Sequence, residues 1–221
     1  MKKLAGIAAL AVLLASTATT AYAEDGNVFT YDIDATTITA PINVIAPASV
    51  SAFLNPYDTT VVFDRGTLEP DLNAVGEDRL ELTGEIVSPV YTIENIGETP
   101  ITVYASVSGY SLGGAELVDA NVSGGVWDIL DDTRGVSLWI TGGLNSSAVQ
   151  TDEYDVAQSI AISETETTRK MIEQIDAVSD NGVSGKGYFK INGSINKNAK
   201  GWSESDGVHI NLALKVVPSD V

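Results

Sequence analysis

Apolar residues at every second position are the feature that most constrains how this chain can fold. The clearest case is the segment 208–217 near the C-terminus. Its apolar residues are Val208, Ile210, Leu212, Leu214 and Val216, which alternate with His209, Asn211, Ala213 and Lys215. A period of two sends successive side chains to opposite faces of a β-strand. The segment therefore predicts a half-buried antiparallel strand, with Ile210, Leu212 and Leu214 inside and His209 outside.

Similar strand-like segments recur along the chain. They occupy 80–86, 89–94, 101–107, 136–141 and 187–195, with shorter candidates at 36–45 and 50–54. The run Asn95–Pro100 consists largely of turn residues, so we expect 89–94 and 101–107 to form a hairpin. The alternation of strands and helices that marks a parallel sheet is missing from the pattern. We therefore predict an all-β fold, mainly an antiparallel β-sandwich.

One segment departs from the period of two. Ser163 to Glu166 fits a helix capping box, and Met171, Ile172, Ile175 and Val178 follow at helical spacing. This spacing predicts one short helix near 165–178.

The N-terminus resembles a secretory signal in its order of features. Lys2 and Lys3 precede the apolar run Leu4–Ala15, and Ala21-Tyr22-Ala23 fits the pattern that signal peptidases cleave. The run is short for a hydrocarbon core of ~30 Å, which makes an N-terminal anchor helix the alternative. We predict a cleaved signal peptide at 1–23 and a single β-sandwich domain at 24–221. The mature chain would be secreted, at the cell surface or beyond it, with no transmembrane anchor.

Charge and composition exclude several classes of function. Thirty acidic residues against twelve basic ones give a net charge of −18, which disfavours nucleic acid as a partner. The chain has no cysteine, so disulfides, thiolate catalysis and cysteine-ligated zinc are excluded. Its one histidine, His209, is the sole candidate for a Ser-His-Asp arrangement, and it is expected on an outward strand face. We predict no enzymatic activity, with a carboxylate-based hydrolase as a third interpretation, since no pair of acids stands out.

Calcium is the one cofactor that the acidic loops bring into question. Hard cations bind clustered carboxylate oxygens, and Asp128, Asp131 and Asp132 form such a cluster in the sequence. The competing interpretation is solvated charge that keeps an exported protein soluble. We expect no cofactor, with calcium as the alternative.

Aromatic residues suggest a second class of function, glycan binding. Trp127 and Trp202 lie next to turns, where a ring could stack on a sugar, whereas Trp139 lies in an apolar strand typical of the core. A secreted carbohydrate-binding module is therefore the alternative interpretation.

Three stretches of the sequence carry a diffuse family resemblance, together with the signal-like N-terminus. They are Ser88–Asn95, the return strand Pro100–Val103, and the ending from Gly193 through Trp202 to the last apolar strand. In these stretches the chain resembles secreted Gram-positive surface proteins of the WxL type and biofilm-matrix fibre subunits of the TasA/camelysin type. The WxL signature itself is missing, because Trp127-Asp128-Ile129 and Trp139-Ile140-Thr141 both lack its leucine.

The resemblance implies a β-sandwich of the bacterial envelope or matrix that acts through its surfaces. Its expected partners are further copies of itself or other envelope and matrix components. The segment 24–45 continues from a polar leader into β-branched residues, so it could add as a strand to its own sheet or to that of a neighbour.

The first testable prediction concerns maturation. If the Ala21-Tyr22-Ala23 site is cleaved, the intact mass of the secreted protein should match a chain that begins at or near Glu24. Mass spectrometry of culture medium and membrane fractions checks this. Retention of Leu4–Ala15 in a membrane-bound product would contradict the prediction.

Overall fold

The structure, a computed structural model, describes residues 27–30, 42–120, 132–151 and 153–219. Strands dominate this part of the chain, and its only helical element is the short 3₁₀ turn Gly76–Asp78. The prediction of an all-β fold is therefore confirmed. Residues 1–23, which carry the signal-like pattern, lie outside the described residues.

The described residues form fourteen strands. In chain order they are β1 (Asn27–Thr30), β2 (Val44–Ile45), β3 (Phe53–Leu54), β4 (Val61–Asp64), β5 (Arg79–Leu82), β6 (Ile86–Val87), β7 (Tyr91–Asn95), β8 (Ile101–Leu112), β9 (Ala115–Leu117), β10 (Arg134–Gly143), β11 (Ser159–Ile162), β12 (Thr167–Ile175), β13 (Gly185–Ile195) and β14 (Gly207–Pro218).

Two larger sheets contain most of these strands. Sheet A has four strands in the order β1-β14-β8-β12, and sheet B runs β11-β10-β13-β7-β2, with β9 added beside β10. Every pair within them is antiparallel except β9 with β10. The pairs β3-β6 and β4-β5 form two small additional sheets.

The two larger sheets pack face to face around one hydrophobic core. From sheet A, Ile101, Val103, Ala105 and Val107 of β8 all point inward and are at most 1% exposed. They share one buried cluster with residues of sheet B such as Leu138, Ile140 and Phe189. Burial of two alternating faces against each other is the driving force of a β-sandwich.

The predicted helix near 165–178 is wrong, because residues 167–175 form strand β12. The pairing of β12 with β8 shifts register twice, between Lys170 and Ile172 and again between Ile172 and Ile175. Each shift inserts one extra residue, which changes the face to which the following side chains point. Met171, Ile172 and Ile175 are therefore all buried, at a spacing that imitates a helix.

The predicted hairpin of 89–94 with 101–107 is also wrong, although both strands exist. β7 pairs with β13 and β2 in sheet B, whereas β8 pairs with β14 and β12 in sheet A. The connection therefore crosses from one layer of the sandwich to the other. Alternation alone does not distinguish a hairpin within one sheet from a connection between two sheets, because both strands bury one face in either arrangement.

Asn95 organises this crossing from a fully buried position. Its Nδ2 donates to the carbonyl oxygens of Thr99 at 2.9 Å and Asp176 at 3.0 Å, and its Oδ1 accepts from the backbone N–H of Gly97 at 3.0 Å. One side chain thus pairs backbone groups on both sides of the turn and on the end of β12. Buried backbone groups need such partners, so Asn95 fixes the connection between the layers.

The described part of the chain contains no helix that is long and apolar enough to cross a bilayer.

The crossing yields a second testable prediction. Asn95→Leu should lower the free energy of unfolding by roughly 1–3 kcal/mol or more, because it leaves several buried backbone groups without a partner. Asn43→Leu, at a neighbouring exposed position, is the matched control. Urea unfolding followed by tryptophan fluorescence checks both variants. Equal stability of the two would contradict the role assigned to Asn95.

Candidate functional site

Strand β14 presents a partly open edge. It pairs with β8 over its full length, from Gly207 opposite Leu112 to Pro218 opposite Ile101. On its other side it pairs with β1 only from Ala213, opposite Thr30, to Val216, opposite Asn27. Within the described part of the chain, no strand pairs with the edge from Gly207 to Leu212. An unpaired edge offers backbone donors and acceptors to an added strand.

A groove of about 620 Å³ runs along this open edge. Its inner wall is apolar, with Val208, Ile210 and Leu212 of β14 facing Val50 and Phe53. Phe53 is still 36% exposed, which is unusual for a phenylalanine beside a core.

The outer wall of the groove is polar. It is lined by His209 and Asn211 of β14, with Ser106 and Glu166 from neighbouring positions of sheet A. The groove thus has an apolar side and a polar side, separated by the unpaired backbone of β14. These are the surroundings that a strand with alternating side chains requires.

The open edge explains why two residues of β14 are less buried than the sequence predicts. Leu214 and Val216 lie in the part of β14 that pairs with β1 and are 1% exposed, as the alternation predicts for Leu214. Ile210 and Leu212 point inward as well, but they are only partly buried and pack at the margin of the core. They face the groove, where the described chain places no cover over them.

His209 lies on the outer face of sheet A, as predicted. Its ring stacks on that of Tyr110 with centroids 4.8 Å apart, and its Nε2 lies 3.2 Å from Asn211 Oδ1. Both aromatic residues are exposed. Neither of these two neighbours is an acid that would orient the imidazole as a general base.

A buried carboxylate holds the start of β14 in place. Asp206 accepts hydrogen bonds from the backbone N–H groups of Gly114 at 2.6 Å and Ser203 at 2.8 Å. Its Oδ2 also lies 2.6 Å from Nη1 of Arg134, and its side chain is 2% exposed. These contacts tie the β8–β9 turn, the first residue of β10 and the loop before β14 to one another.

These partners set the protonation of Asp206. The Gly114 N–H contributes most, and the Ser203 donors and Arg134 add to it, so together they lower the pKa of the carboxyl below its ordinary value of 3.8. Gly113 is required in the same turn, because it has a φ of +62° and a Cβ there would lie 2.3 Å from the Ser205 carbonyl oxygen.

The calcium candidates divide between described and undescribed residues. Asp132 is exposed, whereas Asp128 and Asp131 lie outside the described residues. In the described ranges, no three acidic or histidine side chains come together as ligands for a metal ion.

Among the tryptophans considered for glycan binding, those that the structure describes are buried. Trp202 is only 9% exposed, and its Nε1 donates to the Asn196 carbonyl oxygen at 3.3 Å, so its ring offers no open platform. Trp127 lies outside the described residues. Trp139 is 1% exposed, as expected of a buried residue, but it lies on the face of sheet B that points away from the main core.

Comparisons with protein-family models, with curated proteins and with solved structures each gave no match. The resemblance to secreted Gram-positive surface proteins therefore stays a prediction.

Asp206 generates a prediction about acid. Because its pKa is lowered in the folded state, its stabilisation is complete above the ordinary carboxyl pKa and is lost as the pH falls through the folded-state pKa. Asp206→Asn should destabilise the protein at neutral pH and reduce the loss of stability on acidification. Urea unfolding from about pH 7 to about pH 2 measures both effects.

The control for this experiment is Asp180→Asn, at an exposed turn between β12 and β13. It should follow the wild-type acid profile closely. If the Asp206 and Asp180 variants gave parallel profiles, the stabilising role of the Asp206 carboxylate would be wrong.

Proposed function

We propose that this chain is an exported, non-enzymatic structural protein of a bacterial cell surface or extracellular matrix, which self-associates by β-strand addition. The observation that carries the proposal is the edge of β14 from Gly207 to Leu212, which has no partner among the described strands, together with its two-sided groove. The signal-like N-terminus supports export.

The proposed donor is the segment 24–45 of a second copy, of which residues 24–26 and 31–41 lie outside the described residues. The register of β1 indicates how such a donor would fit. Continued beyond Thr30 opposite Ala213, it would set residues 31 to 36 opposite Leu212 to Gly207 in descending order. The donor's own sequence over these six positions is Tyr-Asp-Ile-Asp-Ala-Thr.

This donor sequence matches both walls of the groove. In that register Tyr31, Ile33 and Ala35 meet the inner wall, which is apolar, while the aspartates meet the outer wall of His209 and Asn211. Burial of alternate side chains and pairing of the open backbone act together in strand addition.

Exchange of β1 between copies would keep the contacts that β1 makes with β14. The contacts of β1 with β14 are the same whether the strand comes from the same chain or from a neighbour. Domain swapping of such an element costs little, because no new type of contact is needed. A donor that ran on past Thr30 would also pair the six residues that β1 leaves open.

Charge sets the conditions for association. The chain carries −18, and removal of Lys2 and Lys3 with the signal peptide would make it −20. Copies of such a chain repel one another at low ionic strength, and salt screens the repulsion within roughly 10 Å at 0.1 M. Association should therefore strengthen as salt or calcium is added.

Ile210→Lys is the variant that tests the acceptor edge. An inward-pointing charge in the groove opposes addition of an apolar strand, so oligomers of the mature protein should fall to monomer. Asn211→Lys is the matched control, because it adds the same charge one residue away on the outer face. Size-exclusion chromatography with light scattering at about 0.15 M salt measures both.

Deletion of residues 24–36 tests the donor. It removes the proposed strand but leaves Ile42, which is 4% exposed, and strand β2 in place. The shortened protein should be monomeric and should bind a synthetic peptide of residues 27–36. Oligomers that persist unchanged after the deletion would overturn donation by this segment. A mature protein that stays monomeric at every salt and calcium concentration would overturn self-association as a whole.

A further inference from the structure

The connection between β10 and β11 is far longer than its geometry requires. These strands are antiparallel neighbours, with Thr141 opposite Ser159, and a turn of two to five residues would join them. Instead, the fifteen residues 144–158 link Gly143 to Ser159. Connections of this length without regular structure are uncommon in compact domains and commonly form binding loops.

The loop is packed onto the outer face of sheet B. Val149 is completely buried although it lies outside the main core, and Trp139 is buried on the same face. Asn192 of β13 fastens the loop, because its Nδ2 donates to the Val149 carbonyl oxygen at 2.9 Å. The described part of the loop is therefore a built structure with its own small interior.

A cavity of about 510 Å³ opens between the loop and the sheet. Its floor holds the hydroxyls of Thr141 and Ser159, which are each 2% exposed and lie 2.9 Å apart. The loop contributes Glu153, Tyr154, Asp155 and Gln158 to its walls. The volume falls within the roughly 300–1,000 Å³ that small-molecule sites occupy.

One buried polar group next to the cavity lacks a hydrogen-bond partner among the described residues, and a second one links the groups of the floor. The Nε1 of Trp139 has no hydrogen-bond partner among the described residues, and its ring meets Tyr154 edge-on with centroids 5.9 Å apart. Asn192 Nδ2 also donates to Thr141 Oγ1 at 3.2 Å, so the floor is a connected polar layer. Buried polar groups of this kind are usually satisfied by water or by a ligand.

We propose that this cavity binds one neutral sugar residue, a hexose or an N-acetylhexosamine. Sugars need groups that both donate and accept hydrogen bonds, which Thr141, Ser159 and Gln158 supply, and carboxylates that accept from hydroxyls, which Glu153 and Asp155 supply. The ring of Tyr154 offers an apolar face to the C–H groups of a pyranose.

The charges around the cavity select against anions. Two carboxylates at the wall repel an anionic sugar or phosphate. The guanidinium of Arg169 supports the loop, because its Nη1 donates to the Val156 carbonyl oxygen at 2.9 Å and to that of Ser159 at 3.4 Å. A neutral polyhydroxylated ligand can donate its hydroxyls to the two carboxylates without charge repulsion.

The site lies on sheet B, away from the open edge of sheet A. The sugar-binding proposal can therefore be tested separately from the proposed self-association. The experiment uses the mature protein, with glucose, galactose and N-acetylglucosamine as probes in calorimetry and ligand-observed NMR. At least one probe should bind, and Tyr154→Ala should weaken it about tenfold, while Tyr154→Phe, which keeps the ring, should stay within about threefold of the wild type.

Two further variants keep the result interpretable. Gln158→Ala, at an exposed position, should also weaken binding without unfolding the protein. Tyr110→Ala removes an exposed tyrosine on sheet A and should leave binding unchanged. The proposal is overturned if none of the three sugars binds, if glucuronate binds more tightly than the neutral probes, or if the Tyr110 variant alone loses binding. Thermal unfolding confirms that each variant is folded.

Discussion

The ladder between β8 and β14 is the interaction on which the rest of the structure depends. Twelve residue pairs run from Gly207 opposite Leu112 to Pro218 opposite Ile101 without a bulge. This ladder fills the middle of sheet A and aligns the inward faces of both strands on the core. Because β14 has its full length fixed on one side, its other side can be left open from Gly207 to Leu212 without loss of its shape. The shape of the candidate interaction edge is therefore set by its pairing with β8, and Asp206 holds the loop that leads into it.

The two sheets carry two candidate binding features that differ in their chemistry, a groove on sheet A and a cavity on sheet B. The groove beside β14 combines an apolar wall with unpaired backbone, which suits an extended chain. The cavity beneath the 144–158 loop combines buried hydroxyls with an aromatic ring and carboxylates, which suits a small polar molecule. Under the two proposals, copies of the chain would join at the groove and a sugar would bind in the cavity, at separate places on the molecule.

Sequence reasoning predicted the strands well where one face is buried and the register is regular. β8 and β14 follow their alternation throughout, and residues 185–195 contain the predicted strand. It failed at β12, where two register shifts bring Met171, Ile172 and Ile175 to the same side and imitate helical spacing. It also missed the crossing at Asn95, because a strand that turns back within a sheet and one that passes to the facing sheet bury the same residues.

The sequence by itself determined the all-β class, the faces of the long strands and the strongly acidic character, since side-chain period and charge are local properties. Only the tertiary structure decided that six residues of β14 have no partner strand on one side among the described residues, and that the described part of the 144–158 loop folds back over a polar cavity. Strand order and loop packing join residues far apart in the chain, such as Asn192 and Val149 or Asp206 and Gly114. Such contacts depend on which faces meet in the folded chain, and no local pattern encodes that choice.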